Sequence, residues 1–424
     1  MSSYNVLDSV LFPQLQTQLA AIGSADILVG IPCYNNVSTI PHVMAMVSVG
    51  LAQHYPHQRA VILLADGGST DGTPQQTLAP AAGQTQLVTA CRGIGGKGSA
   101  LRTVFAAAAT LDVRACVTVD ADLRSITPAW MHHLLTPLLD EGYDFVAPLY
   151  ARHKYDGTIT NNLVYCLTRA LYGQRIRQPI GGDFGLSGAL ARHYLHQPVW
   201  ETDVARFGID IWMTLEAIAT GAGLCQTHLG VKLHDPKDPA SALGPMFEQV
   251  SGTLFRQIER DVEIWQLIRG SQAVATFGAD QGLEPEPVAV DYPRMVQAFR
   301  AGFDAWQPLY RQLLAPSQFG PLQRAATGDG AVTPQLWARL LYDLLVAYHH
   351  LQDHRGGLIR AMVPLYLGRV ATFVAQTRDL DAAAAEAEVA ALAQQCEAQK
   401  PYLLERWGQR PEPLTTEVAK YLDI

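Results

Sequence analysis

The chain has 424 residues, of which 48% are hydrophobic and 17% charged, with a net charge of −8. That composition excludes a disordered or membrane-dominated chain, and the length suggests about two or three domains. The acidic balance argues against a nucleic-acid partner but leaves room for a local basic pocket that takes an anion.

In chain order, residues 27–32 form a continuous apolar run, which predicts a strand buried on both faces. The polar turn Pro32-Cys33-Tyr34-Asn35-Asn36 and a helix over 39–54 follow. A second buried strand over 60–64 runs into Asp66-Gly67-Gly68-Ser69-Thr70-Asp71. A third strand near 87–89 leads to a glycine-rich loop, 92–98, that encloses Lys97. The loop is a poor dinucleotide fingerprint, because it follows the third strand and carries a lysine. It also fails as a P-loop, because Gly98 follows that lysine. Its glycines let the backbone approach an anion, with Lys97 adding charge near the start of an Ala-rich helix, 99–110. A flexible surface loop is the plainer alternative.

The next strand, 116–123, delivers Asp120 and Asp122. Alternate residues of a strand share a side, so both carboxylates can converge on Mg²⁺ or Mn²⁺, which in turn can hold a diphosphate. Taken alone, Asp-x-Asp is more simply a strand end followed by an acidic loop. Strands and helices alternate throughout, which predicts an α/β fold: a mostly parallel sheet with helices on both faces and ligands beyond the strands' carboxyl ends.

A strand over 145–150 precedes the basic cluster Arg152-His153-Lys154. Gly157-Thr158-Ile159-Thr160 then opens a helix over 161–171, so cations and a helix start can share one anionic substrate; a solvated face is the alternative. Residues 178–185 read as a glycine turn, Gly181-Gly182, with an embedded acid, Asp183. Asp210 falls in the first turn of an apolar helix, where a capping role is the alternative to a functional one. A strand over 229–235 ends in His234, and a lone histidine is more often structural than a ligand. Residues 244–268 have amphipathic helical spacing. The Gly- and Pro-bearing stretch 271–290 reads as a linker. Helices over 294–314, 334–352, 358–377 and 381–399 then predict an all-α C-terminal domain without a catalytic constellation. The expected division is residues 1–270, a linker 271–290, and a helical domain 291–424.

Taken together, residues 27–243 resemble the retaining GT-A glycosyltransferases that glycosylate glycerate or 3-phosphoglycerate, of the glucosyl-3-phosphoglycerate synthase and mannosylglycerate synthase type. The ordered series Gly96-Lys97-Gly98, Asp120-Ala121-Asp122, Gly157-Thr158-Ile159-Thr160, Gln178-Pro179-Ile180-Gly181-Gly182-Asp183, Phe207-Gly208-Ile209-Asp210 and Leu229-Gly230-Val231-Lys232-Leu233-His234 carries the likeness. The resemblance implies that Pro32, Tyr34, Asn36 and Asp66 hold the nucleoside of a nucleoside-diphosphate sugar. It puts Lys97 and Asp120 by the donor, and Gly181, Gly182 and Asp183 along the sugar. Asp122 and His234 would ligate a divalent cation, Mg²⁺ or Mn²⁺. A small anionic hydroxy acid would be held by Arg152, Lys154, Gly157, Thr158, Thr160 and Lys232. Lys97, Asp183 and Asp210 form the implied catalytic set.

Thr158 replaces the family's arginine, Lys232 another arginine, and Pro236 an asparagine. Two of these changes remove groups that could grip an acceptor phosphate, which shifts the expected acceptor toward free glycerate or another small hydroxy acid unless Arg152 and Lys154 compensate. The resemblance also implies a homodimer. The rival readings are an inverting transferase with Asp210 as base, a sugar nucleotidyltransferase, and a non-catalytic sugar-nucleotide sensor with a helical partner platform.

The six cysteines are scattered without a Cys-x-x-Cys pair, which fits a cytoplasmic setting. Residues 1–17 have no signal-peptide pattern, and no apolar run approaches the roughly 20 residues of a membrane span.

Overall fold

The computed structural model describes residues 6–76, 83–233, 244–282, 284–409 and 414–422. Two compact units share the chain: Met1–Arg152, Ile176–Asp235 and Val274–Glu286 form the first, and His153–Arg175, Pro236–Ala273 and Pro287–Ile424 the second.

The first unit is built on an eight-stranded sheet. Its strands are β1 (Ile27–Cys33), β2 (Ala60–Asp66), β3 (Gln84–Ala90), β4 (Ala115–Thr118), β5 (Phe145–Ala151), β6 (Phe184–Ser187), β7 (Leu224–Val231) and β8 (Ala275–Phe277), in the order β3-β2-β1-β4-β6-β5-β7-β8. All pairs are parallel except those of β6, which runs antiparallel to both β4 and β5. The apolar runs split by parity, as a strand buried on both faces requires. Leu28, Val61 and Leu63 join a core with the helices Pro13–Ile22, Lys97–Thr110 and Gly188–Leu195. Ile27, Val29, Ile62 and Leu64 join another with the helices Ile40–His54 and Ala129–Leu139.

The second unit is helical. Its long elements are Gly244–Arg260, Tyr292–Leu313, Pro334–His350, Arg355–Thr377 and Ala382–Ala398. The stretch Gln352–Thr377 is long and apolar enough to cross a membrane, but 72% of its apolar window is buried. Leu358, Met362, Leu365 and Phe373 on it are core residues.

The expected linear division does not hold. The supposed linker contributes β8 to the sheet, pairing Ala275 with Cys225. Residues 153–175 and 236–270, expected in the first domain, and 271–273, expected in the linker, belong to the helical unit. The reason is where their apolar faces find partners. On the helix Gly244–Arg260, Phe247, Leu254, Phe255 and Ile258 are buried, and the helix packs on Arg355–Thr377. Trp337 Nε1 donates to the Asn162 carbonyl, and the buried Arg369 donates to the Asn162 side chain.

Candidate active site

Four strand ends meet at one edge of the first unit's sheet. β4 ends at Thr118, opposite Phe184 at the start of antiparallel β6. This pairing sets Asp120, two residues past β4, beside Asp183, one residue before β6: the Asp120 N–H donates to Asp183 Oδ1 at 2.7 Å. β5 and β7 run parallel, with Tyr150 opposite Gly230 and Ala151 opposite Val231. Lys232 therefore emerges next to Tyr150.

These side chains form a chain of alternating charge. Lys97 Nζ lies 3.1 Å from Asp210 and 2.8 Å from Asp120. Lys232 Nζ lies 3.0 Å from Asp120 and 2.9 Å from Asp183, and donates to the Gly181 carbonyl at 2.8 Å. The Tyr150 hydroxyl donates to Asp183. Asp183 is fully buried and Lys232 nearly so. Burial opposes charge on every member, and the partners decide the outcome. Asp210 and Asp183 have raised pKa values because burial outweighs Lys97 and Lys232 respectively. Asp120, between two lysines, is held well below the usual carboxylate range despite its burial. Both lysines are raised: burial would lower them, but Asp120 and Asp210 hold the charge on Lys97, and Asp183 and Asp120 that on Lys232. Arg152, whose charge acts to lower Lys232 and Tyr150, adds a further cation nearby.

Backbone shape makes this packing possible. Gly182 has φ +94°, and a Cβ there would sit 2.1 Å from Asp120 Oδ2. Only glycine meets both conditions. Gly98, the second residue of the helix that Lys97 opens, lies so close to the turn Asp203–Ala205 that a Cβ would fall 1.8 Å from the Val204 carbonyl.

Two loops beside this cluster lock together. The Asn35 N–H donates to Ser69 Oγ at 2.8 Å, the Thr70 N–H to Asn35 Oδ1 at 2.9 Å, and the Asn36 N–H to Thr73 Oγ1 at 2.8 Å. Asp66, 6% exposed, accepts from the Gly68 and Ser69 N–H groups within its own turn. Tyr34 beside them is 62% exposed, a free aromatic face at the rim. Thr39 donates to the Ala121 carbonyl at 2.7 Å, tying the first loop to the Asp-x-Asp segment.

The structure thus brings Lys97, Asp120, Gly181, Gly182, Asp183, Asp210 and Lys232 into one cluster. Asp120 and Asp122 do not project from one strand as expected. β4 stops at Thr118, because its partner β6 starts opposite that residue, and both carboxylates lie in the turn beyond. Asp122 is half-buried and makes no hydrogen bond or ion pair among the described residues. Just past it, the Arg124 N–H donates to the Leu233 carbonyl at 2.9 Å, and the Leu233 N–H to Ser125 Oγ at 2.9 Å. His234 lies outside the described residues, and among those described no group of three His, Cys, Asp or Glu is placed to hold a metal ion.

Gly157, Thr158, Thr160 and Lys154 belong to the second unit. Thr158 is 1% exposed, its hydroxyl 2.6 Å from that of Tyr366. Thr160 is buried and opens a π-turn, Thr160–Val164. Lys154 donates to the carbonyls of Thr377, Arg378 and Leu380, closing the end of the helix Arg355–Thr377. Sequence reasoning passed over Tyr150. Its only signal was its place at a strand end before a basic cluster.

A mostly parallel sheet with one reversed strand, its lysine–aspartate site beyond the strand ends and an Asp-x-Asp turn at the rim, is the GT-A architecture of sugar-nucleotide transferases. Residues 28–196 match the family model "Glycosyl transferase family 2". Comparison with curated proteins gave no match. Similar solved structures include glucosyl-3-phosphoglycerate synthase of Mycobacterium tuberculosis in complex with phosphoglyceric acid, at 25% identity, covering 57% of this chain and 83% of that one, TM-score 0.45. The same enzyme with Mn²⁺, uridine-diphosphate-glucose and phosphoglyceric acid gives 25%, 57% and 83%, TM-score 0.44. With Mg²⁺ and uridine-diphosphate it gives 24%, 57% and 83%, TM-score 0.43.

Proposed function

We propose that the protein transfers a hexose, glucose or mannose, from a nucleoside-diphosphate sugar to glycerate or 3-phosphoglycerate, with retention at the anomeric carbon and dependence on a divalent cation. The observation that carries this reading is the Asp210–Lys97–Asp120–Lys232–Asp183 chain beside an uncommitted Asp122. Asp122, which has no hydrogen bond or ion pair among the described residues, lies two residues before Arg124, which is tied to Leu233, and an uncommitted carboxylate there fits a hard cation completed by phosphate oxygens; His234, next in the sequence, would be the second ligand. When bound, the cation would stabilise the charge on the leaving diphosphate.

The protein's own groups do the rest. Lys97, kept charged by Asp120 and Asp210, meets the donor phosphate with a fixed cation. Lys232 and Tyr150 hold Asp183 at the floor of the sugar site. Arg152 pairs with the carboxylate of the acceptor. Retention is supported by the engagement of the three carboxylates in the charge chain. Asp120 contacts two lysines, Asp183 contacts Lys232, Tyr150 and a backbone N–H, and both Asp210 oxygens contact Lys97. The acceptor oxygen therefore attacks from the leaving group's own side. Its bond to the anomeric carbon forms as the bond to the phosphate oxygen breaks, and that departing oxygen takes the hydroxyl proton.

The test is an assay of uridine-diphosphate-glucose and other sugar nucleotides with glycerate and 3-phosphoglycerate, with Mg²⁺, Mn²⁺ or chelator, and with the product anomer read by NMR. We expect an α-linked product, release of nucleoside diphosphate, and no turnover with chelator. A β-linked product, pyrophosphate release, or no turnover with any pair would refute the reading.

A further inference from the structure

A cavity of about 540 Å³ is lined wholly by residues of the second unit. Arg169, Arg175, Arg269 and Lys400 line it against one acid, Glu397, in a protein whose overall charge is −8. The cations are held in place. Ser271 Oγ accepts from Arg169 Nε at 3.2 Å and Arg175 Nε at 3.0 Å, and donates to Glu397 at 2.8 Å. Arg169 Nε also donates to Glu397 at 2.8 Å, and Arg175 Nη2 to the Ser271 carbonyl at 3.1 Å. These bonds engage the Nε side of both guanidiniums, and the two Nη groups of Arg169 have no hydrogen-bond partner among the described residues.

Lys400 is 6% exposed and gives one N–H to the Ile268 carbonyl at 2.7 Å, leaving two donors. Burial, and then the charge of Arg269, pulls its pKa down to about 8. One carboxylate cannot balance four cations, and Glu397 is already committed to Arg169 and Ser271.

We propose that this cavity binds a small phosphorylated molecule with at least two negative charges, its phosphate oxygens gripped by Arg169 and Arg175. Guanidinium forks match phosphate geometry, and Arg269 and Lys400 supply further charge. The volume falls in the range of small-molecule sites, about 300–1,000 Å³. The proposal stands apart from the transfer reaction and its donor site.

Calorimetric titration of the full-length protein with inorganic pyrophosphate tests it, comparing wild type with the Arg175→Gln/Arg269→Gln double variant. Both residues are exposed, and the single variant Arg269→Glu is the fallback if the double variant melts early. We expect pyrophosphate to bind wild type, and affinity to drop at least about tenfold in either variant, the effect of one or two lost charge-assisted bonds. A second binding event that persists in the variants belongs to another site and leaves that result standing. Absence of binding to wild type, affinity unchanged in the variants, or malonate binding as tightly as pyrophosphate would overturn the proposal.

Discussion

Asp122, in the turn beyond β4, and Lys232, just past β7, are both charged residues, yet their substitution should have opposite consequences. Asp122 makes no hydrogen bond or ion pair among the described residues, so Asp122→Ala should change unfolding free energy by no more than about 0.5 kcal/mol, as at an uncommitted site. Cation-dependent turnover should be lost in the same variant. Normal turnover with Mg²⁺ or Mn²⁺ would remove Asp122 from the cation site. Lys232 lies between Asp120 and Asp183 with 4% of its side chain exposed. Lys232→Met leaves the fully buried Asp183 without its cation, while Asp120 keeps Lys97, and should cost about 3–5 kcal/mol in denaturant unfolding. A variant as stable as wild type would mean the charge chain is not structural. At this scale the sequence was informative where chemistry comes in short motifs, such as Asp120-x-Asp122 or Gly96-Lys97-Gly98. It was silent on Tyr150, because a tyrosine at a strand end has no motif. The bond from Tyr150 to Asp183 depends on β6 lying beside β5.

Among the elements, the long ones were legible and the short ones were not. β1, β2 and β5 are seven residues each and mostly apolar, and the helices Tyr292–Leu313, Pro334–His350, Arg355–Thr377 and Ala382–Ala398 follow the aromatic and aliphatic spacing closely. β6 has four residues, preceded by Gly181-Gly182-Asp183, and β8 has three. Neither is long enough for periodicity to show, and each exists because a neighbouring strand offers it a ladder. The helix Lys97–Thr110 raises a different point. Glycine inside a helix is ordinarily about 1 kcal/mol worse than alanine. At Gly98 the sign should reverse, because an added Cβ would meet the Val204 carbonyl at 1.8 Å. Gly98→Ala should therefore destabilise the protein by about 1–3 kcal/mol, in the range of overpacked cores, and lower kcat by shifting Lys97. Thermal unfolding and steady-state kinetics check both effects. A variant that melts higher than wild type would show that the helix start has room to move.

The molecule as a whole departs most from what its linear order suggests. Six alternating stretches build the two units, whereas composition alone marked a single boundary near residue 290. No local pattern encodes that exchange. It rests on contacts such as Arg169 with Glu397 and Thr158 with Tyr366, which are 228 and 208 residues apart. Residues 1–290 expressed alone should not behave as a folded glycosyltransferase domain. The apolar face of Gly244–Arg260 would lose Arg355–Thr377, and Asn162 would lose Trp337 and Arg369. Size-exclusion chromatography and limited proteolysis would read this as aggregation and rapid cleavage within 153–175 and 236–273. A monodisperse, protease-resistant fragment would show that the division near 290 is a true boundary after all.

The interleaving also constrains how the protein is made. As the chain leaves the ribosome, the segment bearing Thr158 must wait for Tyr366, emerging 208 residues later, before its buried hydroxyl finds a mate. The sheet itself lacks its last strand until Phe277 has been added. Completion of the second unit thus waits for the last third of these residues, and a pause or premature stop there would strand apolar helices from the middle of the chain in water.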